Sequence, residues 1–263
     1  MVNGGEIEKA LFLSRLPERD SDHDVLFRGV QRLYFGAEFC PWNMPSPHAC
    51  MQALHLARSR GLAFTLATPV LIESWLPRLA KLLHIIAAEL TVADEILISD
   101  WGALEHIRKI LPAATVIVGR TLSGQKRGPR ILDLELTSEQ YDYFQRGSWY
   151  SAAAVTLLTE QGIRRVELDN LLQGVAPLPK NLDGSLHYPW IMVASSRNCP
   201  FRQDNAATGC DVSCGEAFSL TTAQTRIPLL QAGNTQFVEH RKLPQNLADR
   251  GISRLVEHRV IPR

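Results

Sequence analysis

Short apolar runs alternate with longer stretches in which apolar positions recur every three or four residues, and this rhythm repeats through the middle of the chain. Residues 33–40 read as a strand. Ser46 and Pro47 then open a helix that runs to Gly61, with serine as the cap and proline in the first turn. Residues 62–67 form a second strand. Over 72–90, Trp75, Leu79, Leu82, Leu83, Ile86 and Leu90 fall on one helical face. A third strand at 95–100 ends on Asp100, a short helix at 102–111 stops at Pro112, and 114–120 is a β-branched fourth strand. A helix at 148–162 leads to a fifth strand at 165–169. Segments 188–194 and 236–243 read as further strands, and 246–257 as a closing helix.

Apolar strands joined by helices of this length predict a parallel sheet covered by helices. Five such units without a Gly-x-Gly-x-x-Gly loop favour an α/β fold of the βα-barrel, TIM type over a dinucleotide fold, with an open doubly wound sheet as the alternative. Residues 1–29 are expected to form an N-terminal extension and 30–263 a single domain. The barrel is expected to be short of a full set of strands, or to be completed by a partner.

The composition, 45% hydrophobic and 21% charged with a formal charge of +1, is that of a globular protein and gives no global pull toward nucleic acid or anionic lipid. The apolar stretch 79–92 is interrupted by Lys81, His84 and Glu89, so no membrane span is expected. The polar first ten residues do not resemble a signal peptide, which makes a cytoplasmic location the expectation and structural disulfides improbable.

Chemistry concentrates in the cysteines. Cys199, Cys210 and Cys214 fall within sixteen residues of a polar loop, in a chain with five cysteines. Thiolates gathered this way suit zinc or an iron–sulfur cluster, and either needs a fourth ligand. Cys40, at the end of a predicted parallel strand, lies where such folds gather their functional loops. Cys50, inside the next helix, reads as a small packing residue.

A basic loop, 119–130, carries Arg120, Lys126, Arg127 and Arg130 among glycines and could cradle a carboxylate, a phosphate or an RNA backbone. Glu38, Asp100 and Asp169 stand at strand ends, where acids can orient a substrate or act as a base, and His48 follows Cys40 at a helix start. No nucleophile elbow and no His-Glu-x-x-His motif is present, so hydrolysis has no visible residues to carry it.

Taken together, the segment 33–40, the loop 119–131 and the cysteine loop resemble the collagenase-like peptidase family, unit thirty-two among peptidases of unknown catalytic type, over about residues 30–255. The closest likeness is to the iron–sulfur branch that acts in oxygen-independent ubiquinone biosynthesis. The resemblance implies a 4Fe–4S cluster on Cys40, Cys199, Cys210 and Cys214 and a βα-barrel fold. It implies hydroxylation without molecular oxygen, with prephenate as oxygen donor and a quinone precursor or an RNA base as substrate. A paralogous partner subunit is expected. Arg120, Lys126, Arg127, Asp100 and Asp169 are the candidate substrate-binding residues. The Lys126–Arg130 segment departs from the ubiquinone branch and points to a separate subgroup. An RNA base hydroxylation factor and a peptidase are the alternative functions, and zinc the alternative metal.

Overall fold

The computed structural model describes residues 6–17, 23–202, 210, 212 and 214–263. Its centre is a closed barrel of eight parallel strands. Seven of them follow in chain order: β1 (Glu8–Leu13), β2 (Arg32–Gly36), β3 (Ala63–Ala67), β4 (Glu95–Ile98), β5 (Thr115–Val118), β6 (Arg165–Asp169) and β7 (Asp183–Tyr188). A four-stranded antiparallel sheet follows: β8 (Trp190–Ser195), β9 (Phe218–Leu220), β10 (Leu229–Ala232) and β11 (Thr235–Glu239). The barrel then closes through β12 (Ile252–Glu257), which lies between β7 and β1.

Three expectations change here. The first barrel strand lies inside the segment expected as an extension: Leu11 pairs with Leu33 on one side and Glu257 on the other. The barrel is therefore complete within this chain. The segment 246–257 is not a helix but a short turn, Ala248–Arg250, followed by β12. Gly251 at φ 73° breaks the turn, and burial then alternates along the strand, with Ile252, Arg254 and Val256 inward. The inward arginine masks the apolar alternation that marks a strand.

The helices are α1 (His23–Leu26), α2 (Pro47–Ser59), α3 (Leu76–Ile86), α4 (Trp101–Ile110), α5 (Ser138–Phe144) and α6 (Ala152–Glu160). As the sequence predicts, Ser46 caps α2 by accepting from Ala49 N–H at 3.2 Å, with Pro47 at the first position. Leu79, Leu82, Leu83 and Ile86 of α3 are fully buried against the barrel wall, together with Cys50 of α2. Among the described residues no helix is long and apolar enough to cross a membrane.

The barrel interior is mixed. A small apolar layer of Phe12, Tyr34, Ala67, Leu97, Ile117 and Val256 fills its middle. At the N-terminal end, Arg32 and Arg254 share Glu8 and Glu95, with contacts of 2.6–3.5 Å. Buried charge of this kind survives only when each member is paired.

Candidate functional site

At the opposite, C-terminal mouth of the barrel, β2 turns sharply at Gly36 (φ 139°), where a side-chain carbon would lie 2.1 Å from the Ala67 carbonyl oxygen. The chain that follows delivers Glu38, Phe39 and Cys40 to the mouth. Phe39 packs edge-on to Phe237 at 5.5 Å, in a small core with Met192 and Ala232. Asn234 donates to the carbonyls of Phe39 at 3.2 Å and Ser196 at 2.8 Å. The antiparallel sheet is thereby pinned to the end of β2, which sets the cysteine loop opposite Cys40.

The result is a cavity of about 640 Å³ whose wall includes all four predicted ligands, Cys40, Cys199, Cys210 and Cys214. Cys50 lies elsewhere, fully buried on the inner face of α2 with its thiol pushed up to about 12 by burial. His48 is exposed on the first turn of α2 and is not on the wall. Trp42 lines the cavity and is braced edge-on by Trp75 at 5.0 Å. Val70, Ile72 and Met192 complete an apolar side, so the wall offers both thiols and a hydrophobic surface.

The sulfurs sit among hydrogen-bond donors. Cys40 opens the turn Pro41–Asn43, and its sulfur receives the backbone N–H groups of Trp42 and Asn43. Burial nevertheless pushes its thiol up to about 11. The side chain of Asn43 reaches Cys214, while Val212 N–H donates to Cys210 Sγ at 3.4 Å. Val212 is a β-branched residue at φ 61°, a costly conformation that aims its N–H back at the sulfur. Arg202 lines the same cavity, and its buried Nε and Nη2 have no partner among the described residues. An unpaired guanidinium edge beside four thiols is a place prepared for an anionic group.

The residues expected to bind substrate lie away from this wall. Arg120 is fully buried, paired with Glu38 at 2.7 Å and Asp169 at 2.8 Å, and it donates to the Trp190 carbonyl at 2.7 Å. Arg127 turns inward onto Asp169 and Ser123. Lys126 donates to the Arg146 carbonyl at 3.2 Å and lies over the Tyr143 ring. Asp100 caps α4 through Ala103 N–H at 3.0 Å and also accepts from Leu71 N–H at 2.9 Å. Burial opposes ionisation of Asp169, but Arg120 and Arg127 outweigh it and hold its carboxyl below the usual range. Arg120 and Arg127 are thus folded onto acids at the barrel mouth, while Arg130 stays exposed.

Sequence reasoning missed Glu167, His187 and His258, which form a hydrogen-bonded chain inside the mouth. The signal was present. Glu167 and Asp169 on β6 and Ser185 and His187 on β7 put polar residues at alternating, inward positions, Arg254 does the same on β12, and His258 follows that strand directly.

No family model, no curated protein and no solved structure matches this chain. Fold and cavity define its class: an α/β-barrel protein with four cysteines converging at the C-terminal mouth. Similarity to known proteins carries the identification no further.

Proposed function

We propose that the chain is an iron–sulfur protein in which Cys40, Cys199, Cys210 and Cys214 hold a 4Fe–4S cluster, and that it supports oxygen-independent hydroxylation of a quinone precursor. The observation that carries this reading is the meeting of a strand-end cysteine with three loop cysteines some 160 residues later on one cavity wall. The donor set suits the group. Four thiols converge, three of the sulfurs receive N–H donors, and Arg202 offers a cation to an anionic centre. When bound, the cluster would supply electron transfer. The protein's own part is to exclude water with Trp42, Val70, Ile72 and Met192, which suit a flat apolar ring, and to hold thiolates with the N–H groups of Val212, Trp42 and Asn43.

The oxygen donor, prephenate, and a cytoplasmic paralogous partner subunit follow from the family resemblance and belong to the proposal. The RNA alternative rested on the basic loop, and Arg120 and Arg127 are engaged internally, so no specific observation favours it. Anaerobic purification followed by iron, sulfide and zinc analysis tests the reading. Four irons and four sulfides per chain are expected. Stoichiometric zinc without sulfide would overturn it.

A further inference from the structure

Inside the barrel mouth, Glu38, His187 and His258 bring potential ligand atoms within 4.8 Å of one another. Two histidines and a carboxylate have the composition of a transition-metal site. The ring geometry points elsewhere. His187 Nδ1 and His258 Nε2 are 2.8 Å apart while the ring centroids are 5.0 Å apart. That separation is about the nitrogen distance plus a ring radius at each end, so the nitrogens meet head-on. Two imidazoles that share a metal turn their lone pairs toward a third point. Two that share a proton face each other.

On its other side, His187 Nε2 meets Glu167 Oε2 at 2.6 Å. Burial opposes ionisation of Glu167, but the His187 hydrogen bond and the nearby arginines outweigh it and keep the carboxyl below its usual range. An ionised carboxylate only accepts, so the Nε2 proton belongs to His187. When His187 carries that proton alone, its Nδ1 must accept from His258 Nε2–H. His258 Nδ1 is then a bare lone pair. Phe12 stacks on the His258 ring at 4.7 Å and fixes its plane. Beside it lies a chamber of about 10 Å³ walled by Glu38, His258, Ser14 and Arg263, the size of a single water.

We propose that this chamber is a proton-accepting site, in which His258 Nδ1 takes a proton from a water molecule or a hydroxyl-bearing ligand. As the O–H bond breaks and the Nδ1–H bond forms, the Nε2 proton of His258 passes to His187 Nδ1. The positive charge comes to rest on His187 against Glu167, and nothing is oxidised or reduced. His258 touches the ligand; His187 and Glu167 are positioning residues. His258 is neutral before and after the transfer. Its surroundings agree, since burial, Arg120 and His187 hold it well below the usual histidine range. The charged and titratable groups facing the chain are Glu38 from the end of β2, Tyr34 on β2, Arg120 after β5, Arg165 and Glu167 on β6, Arg254 on β12 and Arg263 at the chamber wall. The site does not depend on the cysteine reading.

Nitrogen-15 NMR of the histidines in the full chain, followed as acid is added, tests it. His258 is expected to exchange its Nε2–H tautomer for Nδ1–H while staying singly protonated, as His187 gains a second proton. In Glu167→Gln the exchange should need about tenfold more acid, a shift of one pH unit. A doubly protonated His258, an Nδ1–H tautomer at the alkaline end, or an exchange unmoved in Glu167→Gln would overturn the proposal. Added Co²⁺ that shifts both rings would also overturn it, in favour of a metal site. Should Glu167→Gln fail to fold, the tautomer sequence in the unaltered protein still decides.

Discussion

Arg120 grips Glu38 at two points, Nε to Oε1 at 2.9 Å and Nη2 to Oε2 at 2.7 Å, with neither side chain exposed beyond 1%. Glu38 stands two residues before Cys40, so this pair sets the backbone that delivers a predicted ligand. Arg120→Met leaves Glu38 and Asp169 without their shared cation in the interior. A loss of about 3–5 kcal/mol in urea unfolding is expected, because removing one partner of a buried pair strands the other charge. Arg120→Lys keeps the charge without the planar two-point contact and should recover only part of that loss.

The basic loop separates a stabilising role from a ligand-binding one. Arg127 contacts Asp169 and Ser123, whereas Arg130 is exposed. Arg127→Ala is expected to cost about 2–3 kcal/mol in unfolding, while Arg130→Ala stays within about 0.5 kcal/mol. Neither change should alter RNA affinity. Steeply salt-dependent RNA binding that falls in both variants would instead restore the nucleic-acid reading.

These roles show how far the chain could be read in advance. Apart from the short helix Ser138–Phe144, which falls in a segment read as loop, apolar strands and amphipathic helices from residue 32 to 169 follow the predicted order, because burial on both faces writes a continuous apolar run into each inner strand. The first strand, Glu8–Leu13, was hidden because nothing around it repeats the βα rhythm, and one of its two barrel partners, β12, lies at the other end of the sequence. The last was hidden by Arg254, an inward cation that Glu8, Glu95 and the Tyr34 hydroxyl make tolerable. Cys40 was legible because a strand end fixes a position in space. His258 was not, since its partner His187 on β7, and through it Glu167 on β6, are set by barrel closure, which no local pattern encodes.

Acid should unfold the protein through a small set of carboxylates. Glu8, Asp94, Glu167 and Asp169 are each held below the usual range, cations and hydrogen bonds outweighing the burial that opposes ionisation. Asp94 accepts from Arg58, from Phe64 N–H at 3.0 Å and from Thr91 N–H at 2.6 Å. In the unfolded chain these groups titrate near about 4. Below that pH the unfolded state binds more protons than the folded one, so stability is full above it and falls as pH drops through and below it. Asp94→Asn should cost about 2–3 kcal/mol at neutral pH, with Arg58 partly solvated. Urea midpoints of the two proteins should converge as the pH is lowered past 4.

The cysteines divide by what surrounds them, and paired substitutions read that division. Cys210 lines the cavity and accepts from Val212 N–H, while Cys50 is fully buried among apolar side chains. Cys210→Ala removes one of four ligands and should abolish cluster loading, with a fall in thermal stability because ligation and folding are coupled. Cys50→Ala removes a buried sulfur from the core and should cost about 1 kcal/mol while leaving iron and sulfide content unchanged. Iron and sulfide analysis of both variants, purified anaerobically beside the unaltered chain, makes the comparison. Loss of iron in Cys50→Ala without loss of the fold would mean that the ligand set is drawn from the wrong cysteines, and full loading in Cys210→Ala would mean that the cavity does not hold the cluster.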